Sequence, residues 1–372
     1  MHEFHFDNTK VLIPKKPDLR YLYLEITTGC NLKCKMCFKQ YWEDDEGDMD
    51  YSLFLKILKD AEEFPDLHLI VFGGIGEPTV HPNFMEMVKE VKKRGYALGI
   101  TTNGVFLTEK KIKKLVELGT DIIYFSLDSI PTQRIDLGHQ TSALVLDRIK
   151  KIVEVKKELK TEFPHIGVEF VITKENYKSI FKVAKFLKEY NVDILLFSNL
   201  LPLDEKVKDM IVYDGSVDIE DYVEEIHRKA YFNYVIKVPE FKVKTERHCD
   251  FIEEKVAVVR WDGEVSPCYR FLHTYTEYIF GRPKRVEAFS FGNVKEKSLK
   301  EIWTSREYSW FRFIVKNSLY PSCTDCSLVD YCDFAKDTRF DCWGNSPSCA
   351  DCLWARRIIM CPVPEERYER FW

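Results

Sequence analysis

The chain of 372 residues has no apolar run long enough to cross a membrane. Its longest candidate, residues 194–203, is broken by Ser198, Asn199 and Pro202 and falls well short of the roughly 18–20 residues that a span requires. The first seven residues, Met1-His2-Glu3-Phe4-His5-Phe6-Asp7, lack the basic start and apolar stretch of a secretory signal. An excess of positive charge is lacking too. Lys and Arg number 55 against 60 Asp and Glu, a formal net charge of −5, which argues against broad affinity for nucleic acid. Segments such as Lys110-Lys111-Ile112-Lys113-Lys114 read as solvated faces of amphipathic helices. These absences predict a cytoplasmic protein with neither a nucleic-acid nor a membrane partner.

Cysteine is what the chain has in quantity: 12 residues, several in CxxC pairs. Without an export signal that pattern favours metal binding over a disulfide framework. The densest group is Cys30-Asn31-Leu32-Lys33-Cys34-Lys35-Met36-Cys37, just after a strand-like apolar run at 21–26. Thiolates suit both zinc and iron–sulfur clusters. A closed zinc site takes four protein ligands, yet no fourth Cys or His lies between Cys37 and His68. Three thiolates hold three corners of an iron–sulfur cube and leave one iron open.

The length suits two domains or one large one. Strand-like runs at 21–26, 67–72, 97–101, 121–126, 166–172 and 193–197 alternate with helical patterns at 51–64, 83–94, 109–118, 143–159 and 177–190. Thr108 sits where a helix should start, and Gly95 and Gly119 where helices should stop. The alternation implies an α/β fold with a parallel sheet. A doubly wound sheet has the same period. The motifs decide for a partial (βα)6 TIM-type barrel, because each falls at the C-terminal end of a strand, where barrel sites assemble. After the second strand comes Gly73-Gly74-Ile75-Gly76-Glu77, whose glycines let backbone approach a ligand and whose Glu suits an ammonium group. Thr101-Thr102-Asn103-Gly104 follows the third strand, Ser126-Leu127-Asp128-Ser129 the fourth, and Glu169 to Ile172 with Asn176 marks the fifth. His81 reads as structural. No general base can be named.

Nine cysteines lie after residue 248: Cys249, Cys268, Cys323, Cys326, Cys332, Cys342, Cys349, Cys352 and Cys361. Asp262-Gly263, between the first two, signals a hairpin turn. Zinc knuckles remain open on ligand softness alone. The organisation expected is an N-terminal extension (1–20), a core barrel (21–201), a bridging segment (202–246) with helix near 222–230, a cysteine-rich domain (247–361) and a tail (362–372).

CxxxCxxC after the first barrel strand, followed about forty residues later by the Gly-rich loop, resembles the radical S-adenosylmethionine (SAM) enzymes; Met36 stands where an aromatic residue is common. The resemblance implies a [4Fe–4S] cluster on Cys30, Cys34 and Cys37. It further implies SAM bound by Gly74, Gly76 and Glu77 at its amino group, by Thr102, Asn103, Ser126 and Asp128 near ribose and methionine, and by the fifth strand at adenine. The spacing Cx13Gx4C, then CxxCx5C and further cysteines, resembles the SPASM extension, which holds two auxiliary clusters, commonly [4Fe–4S]. Residue matching puts Cys249, Cys268 and Cys342 on the first, and Cys323, Cys326 and Cys332 on the second. Cys349, Cys352 or Cys361 completes that second set. The segment from Asp341 to Cys361-Pro362 is similar to one branch, the cofactor-modifying maturases of tungsten-containing aldehyde ferredoxin oxidoreductases.

The implied activity is reductive cleavage of SAM to a 5′-deoxyadenosyl radical. Its target is then a tungsten oxidoreductase, its pterin cofactor or an associated peptide, with an external electron donor such as ferredoxin. Two other readings fit some of the motifs: a peptide- or sulfatase-type maturase, and an iron–sulfur electron carrier or zinc-stabilised scaffold without SAM chemistry.

Overall fold

Apolar runs without polar alternation become the strands of one sheet buried on both faces, as parallel sheets require. The computed structural model describes residues 1–130, 141–228 and 234–363, apart from the His227 side chain. Two short strands, β1 (His2–Phe6) and β2 (Thr9–Ile13), form an N-terminal hairpin. Six parallel strands follow: β3 (Tyr21–Leu24), β4 (Leu69–Phe72), β5 (Ala97–Thr102), β6 (Ile122–Ser126), β7 (His165–Ile172) and β8 (Ile194–Asn199). Between and after them run α1 (Tyr51–Ala61), α2 (Phe84–Lys93), α3 (Glu109–Glu117), α4 (Ser142–Leu159), α5 (Ile180–Leu187) and α6 (Glu220–Arg228). This is the expected barrel core. The expected continuation of α6 to residue 230 lies outside the described residues, as does most of the tail.

Strand β3 explains the double burial. Leu22 and Leu24 pack into the large core beneath the helices, while Tyr21 and Tyr23 join Leu69 and Val71 on the opposite face. Helix α3 turns Ile112, Leu115 and Val116 inward and its lysines outward; the Thr108 hydroxyl caps it by accepting from the Lys111 amide. Gly95 and Gly119, at φ +82° and +72°, end α2 and α3, as helix-terminating glycines do.

The sheet reaches further than expected at both edges. Strand β9 (Val235–Lys237), from the bridging segment, pairs in parallel with β8. Beyond the short helix α7 (Asp250–Glu253), strand β10 (Val256–Val259) pairs in parallel with β3 and turns at Gly263 into the antiparallel β11 (Val265–Ser266). The hairpin signal at Asp262-Gly263 is thus realised, and its strand extends the core sheet. Tyr23 and Val258 share one apolar cluster, so the cysteine-rich region and the barrel have a common core. The remaining elements are the hairpin β12 (Tyr275–Ile279) and β13 (Arg282–Val286) and helices α8 (Leu299–Trp303) and α9 (Arg306–Lys316). The N-terminal hairpin packs there too: Phe4 stacks on Trp310 with centroids 4.4 Å apart.

A buried histidine latches the two regions. His273 lies between Glu25 (3.0 Å) and Asp44 (3.2 Å), with Trp42 against its ring. Burial alone would push its pKa down; the two carboxylates reverse that and hold it above the ordinary value, near 6.5 for a free imidazole. The latch therefore stabilises the fold fully below about pH 6.5 and loses its contribution as pH climbs through the raised value. Urea midpoints should fall from pH 6 to alkaline pH, and His273→Gln should flatten that fall.

Candidate functional site

Every expected strand-end motif meets at one cavity of about 290 Å³, open at the C-terminal ends of the barrel strands. Cys30, Cys34 and Cys37 line one side; Gly74, Gly76, Glu77, Thr102, Asn103, Ser126 and Asp128 line the rest together with Glu169. The cysteine loop is wound tightly by a bond from the Cys37 amide to the Cys34 carbonyl (3.1 Å). Cys30 Sγ accepts from the Leu32 amide at 3.4 Å and from Asn103 Nδ2 at 3.7 Å. Burial pushes the Cys34 thiol up to about 12 and Cys37 to about 11, with the Asp128 carboxylate adding to both. Free thiolates are therefore unfavourable here, whereas a coordinating thiol is deprotonated outright by its metal.

Glu77 is more engaged than an ammonium acceptor would be. Its Oε1 accepts from the Thr79 amide (3.0 Å) and from the hydroxyls of Thr79 (2.5 Å) and Thr102 (2.8 Å), and its Oε2 accepts from the Asn103 amide (2.6 Å). It fastens the loop after β4 to the loop after β5. The Gly73–Gly76 backbone passes in front of it, held by a bond from the Gly74 amide to the Tyr269 hydroxyl (3.1 Å). At φ +106°, Gly74 has a conformation that side chains resist. A Cβ at Gly76 would lie 2.1 Å from the Thr27 carbonyl oxygen. Because that neighbour is backbone, Gly76→Ala should cost about 1–3 kcal/mol of stability and weaken SAM binding at least tenfold by calorimetry.

Other residues of the expected motifs are structural. Asn176 accepts from the Thr173 amide and donates to the Val171 carbonyl, closing the turn after β7. His81, buried, bonds the Met49 carbonyl and the Asn83 amide.

The C-terminal cysteines group differently from the expectation. Cys249, Cys268, Cys349 and Cys352 surround one apolar pocket with Phe251, Ile252 and Phe311. Cys342 is not among them. It lies near Cys332 and Cys326, close enough for their charges to raise its pKa after burial and Asp341; Cys323, pushed up to about 11 chiefly by burial, also feels Cys332. The route of the chain is the cause. Asp341 accepts from the Trp343 and Asn345 amides, turning Cys342 outward. The Cys323 amide binds the Ala350 carbonyl (2.9 Å), and Asp351 is drawn into a buried ion cluster, so the Cys349–Cys352 knuckle faces inward.

Cys361 packs against the same apolar cluster as Cys249 and Cys268 but does not line their pocket. Its thiol lines the SAM-side cavity beside Trp354, Met360 and Pro362. Spacing fixes loop lengths, not these paths. Tyr269, which holds the Gly-rich loop, was not singled out from the sequence either; nothing in its neighbourhood distinguishes it from a core tyrosine.

The donor sets suit iron–sulfur clusters. Three soft thiols face an open cavity, Cys249, Cys268, Cys349 and Cys352 surround a separate pocket, and Cys323, Cys326, Cys332 and Cys342 are neighbours nearer the surface, with Cys326 and Cys342 exposed. Among the described residues, no three His, Cys, Asp or Glu side chains converge as they would on one metal ion. No helix of the described residues is long and apolar enough to cross a membrane.

Such a barrel, with thiols at its mouth and two further cysteine quartets, defines a class. Residues 24–212 match the radical SAM superfamily and residues 249–327 its SPASM iron–sulfur cluster-binding domain; the chain belongs to that superfamily, and its cofactors are [4Fe–4S] clusters and SAM. It is 62% identical over 355 residues, 95% of this chain and 100% of the relative, to the "Tungsten-containing aldehyde ferredoxin oxidoreductase cofactor-modifying protein" of Pyrococcus furiosus. The fold is shared with Streptococcus suis SuiB (TM-score 0.61, 17% identity, 86% of this chain and 73% of that one). It is also shared with the SAM-bound anSMEcpe structure (TM-score 0.56, 20% identity, 95% and 92% covered). The protein is a radical SAM enzyme, which sets aside the carrier and scaffold readings.

Proposed function

We propose that this enzyme is a maturase that modifies a tungsten-containing oxidoreductase, its pterin cofactor or an associated peptide. The observation that carries this reading is the 62% identity extending over the whole of the Pyrococcus furiosus cofactor-modifying protein. Bound SAM, given an electron, supplies methionine and a 5′-deoxyadenosyl radical; the protein supplies binding, orientation and exclusion of water.

In this reading Cys30, Cys34 and Cys37 hold the SAM-binding cluster. Cys249, Cys268, Cys349 and Cys352 hold the first auxiliary cluster, and Cys323, Cys326, Cys332 and Cys342 the second. Backbone carbonyls of the Gly74–Gly76 loop receive the SAM amino group, with Glu77 setting the loop's position. Thr102, Asn103, Ser126 and Asp128 address its ribose and methionine. An external one-electron donor such as ferredoxin has a suitable approach at the second quartet. There Cys326 and Cys342 are exposed, and Leu328, Tyr331 and Trp343 stand out to solvent.

The test is anaerobic incubation with SAM, dithionite and, separately, a tungsten-containing aldehyde ferredoxin oxidoreductase, its isolated pterin cofactor and candidate peptides. Release of 5′-deoxyadenosine with a mass change in one of them is expected. Cleavage of SAM with no change in any of the three would remove the substrate assignment and leave the enzyme class standing.

A further inference from the structure

Eleven of the 12 cysteines fall into the three groups just described, and the twelfth faces the reaction cavity. We propose that Cys361 is a hydrogen-atom donor to carbon radicals held there, not a cluster ligand. The inference rests on reading this cavity as the SAM site.

Three observations carry it. Cys361 lines the cavity that Cys30, Cys34 and Cys37 open onto, whereas Cys249, Cys268, Cys349 and Cys352 complete a quartet around a separate pocket without it. Its Sγ accepts a bond from Trp354 Nε1 at 3.1 Å, which fixes the sulfur and leaves its S–H to point elsewhere. Glu169 opens onto the same cavity from β7, and its Oε1 is buried with no hydrogen-bond partner. A buried carboxyl oxygen without a partner is costly and marks a place where a proton or a donor group is received. Burial alone pushes this carboxyl up to about 7, so it exchanges protons near neutrality. Its charge reaches Cys361, adding to the burial that raises the thiol and keeps it protonated. A thiol in that state holds a hydrogen that a carbon radical can take, because an S–H bond is weaker than most C–H bonds.

The step balances simply. The S–H bond of Cys361 breaks homolytically, a C–H bond forms on the radical carbon, and a sulfur-centred radical is left on Cys361. One electron from the low-potential one-electron donor that also serves SAM cleavage, with one proton passed by Glu169, restores the thiol.

The test needs no substrate. The enzyme is exchanged into D2O, so that the thiol carries deuterium, and given SAM and dithionite; the 5′-deoxyadenosine formed is weighed by mass spectrometry. Wild-type product should carry one deuterium in a large fraction of molecules. Cys361→Ala and Cys361→Ser should lower that fraction at least tenfold while retaining about 12 iron per chain, four for each of three [4Fe–4S] cubes. Equal deuterium in wild type and both variants overturns the proposal. So does a loss of about four iron in both, since Cys361 would then be a ligand. If wild type yields no 5′-deoxyadenosine at all, the site reading itself fails; if it yields product without deuterium, only this inference does.

Discussion

Replacing Cys30, Cys34 and Cys37 together by Ala is expected to reduce 5′-deoxyadenosine formation to background under dithionite and SAM. Iron should fall by about four per chain, from about 12 to about eight, because one cube of three is lost. The effect is all-or-none for a physical reason. In this reading SAM would bind through an iron that the three thiols leave without a protein ligand, and among the described residues no other group of three cysteines lines a cavity shared with the Gly-rich loop. The other eight cysteines of the three groups lie outside this cavity. The eight remaining irons distinguish a lost site from a lost fold. Activity persisting in this variant would end the SAM-cleavage reading of the cavity.

The second large effect is expected from Asp351, which lies between Cys349 and Cys352 and is fully buried. Its carboxylate meets Arg282 at 2.9 Å, Lys284 at 3.1 Å and Arg270 at 3.4 Å, and Arg270 also meets Glu277 at 2.5 Å. Three cations thus share two carboxylates. Asp351 is held below the ordinary carboxylate range: burial pushes it up, but the three cations together outweigh that. Removing one partner of a buried ion pair strands the others, at a cost of about 3–5 kcal/mol. Asp351→Ala should show that loss in urea unfolding, with about four iron missing, because the same cluster sets the direction of the Cys349–Cys352 knuckle. Retention of full iron in a stable variant would mean that the knuckle is placed by the cysteines alone. Asp351→Asn, which keeps the shape and removes the charge, should give most of the same loss.

Much of the site was legible because its residues are near one another in sequence, or follow successive strands. Cys30, Cys34 and Cys37 span eight residues, and a parallel strand–helix repeat brings each following motif to the same rim. The places of β9 and β10 in the core sheet are not legible in the sequence, although the Asp262-Gly263 turn signals the hairpin that β10 forms with β11. Such a run joins the sheet because β8 or β3 stands beside it, and spacing along the chain does not say which strands become neighbours. Glu169 belongs to the fifth-strand motif that the resemblance places at adenine, but a sequence does not tell a carboxylate paired across a sheet from one left unpartnered at a cavity.

Local chemistry settled what kind of protein this is: which thiols sit together early in the chain, which turns need glycine, and which faces of strands and helices are apolar. Those choices involve neighbours a few residues apart, so spacing encodes them. Partnership among the late cysteines was decided only on folding. The path from Cys342 to Cys361 is set by long-range bonds, such as the one from the Cys323 amide to the Ala350 carbonyl and the buried cations gathered by Asp351. A thiol's distance along the chain does not say which pocket it will face.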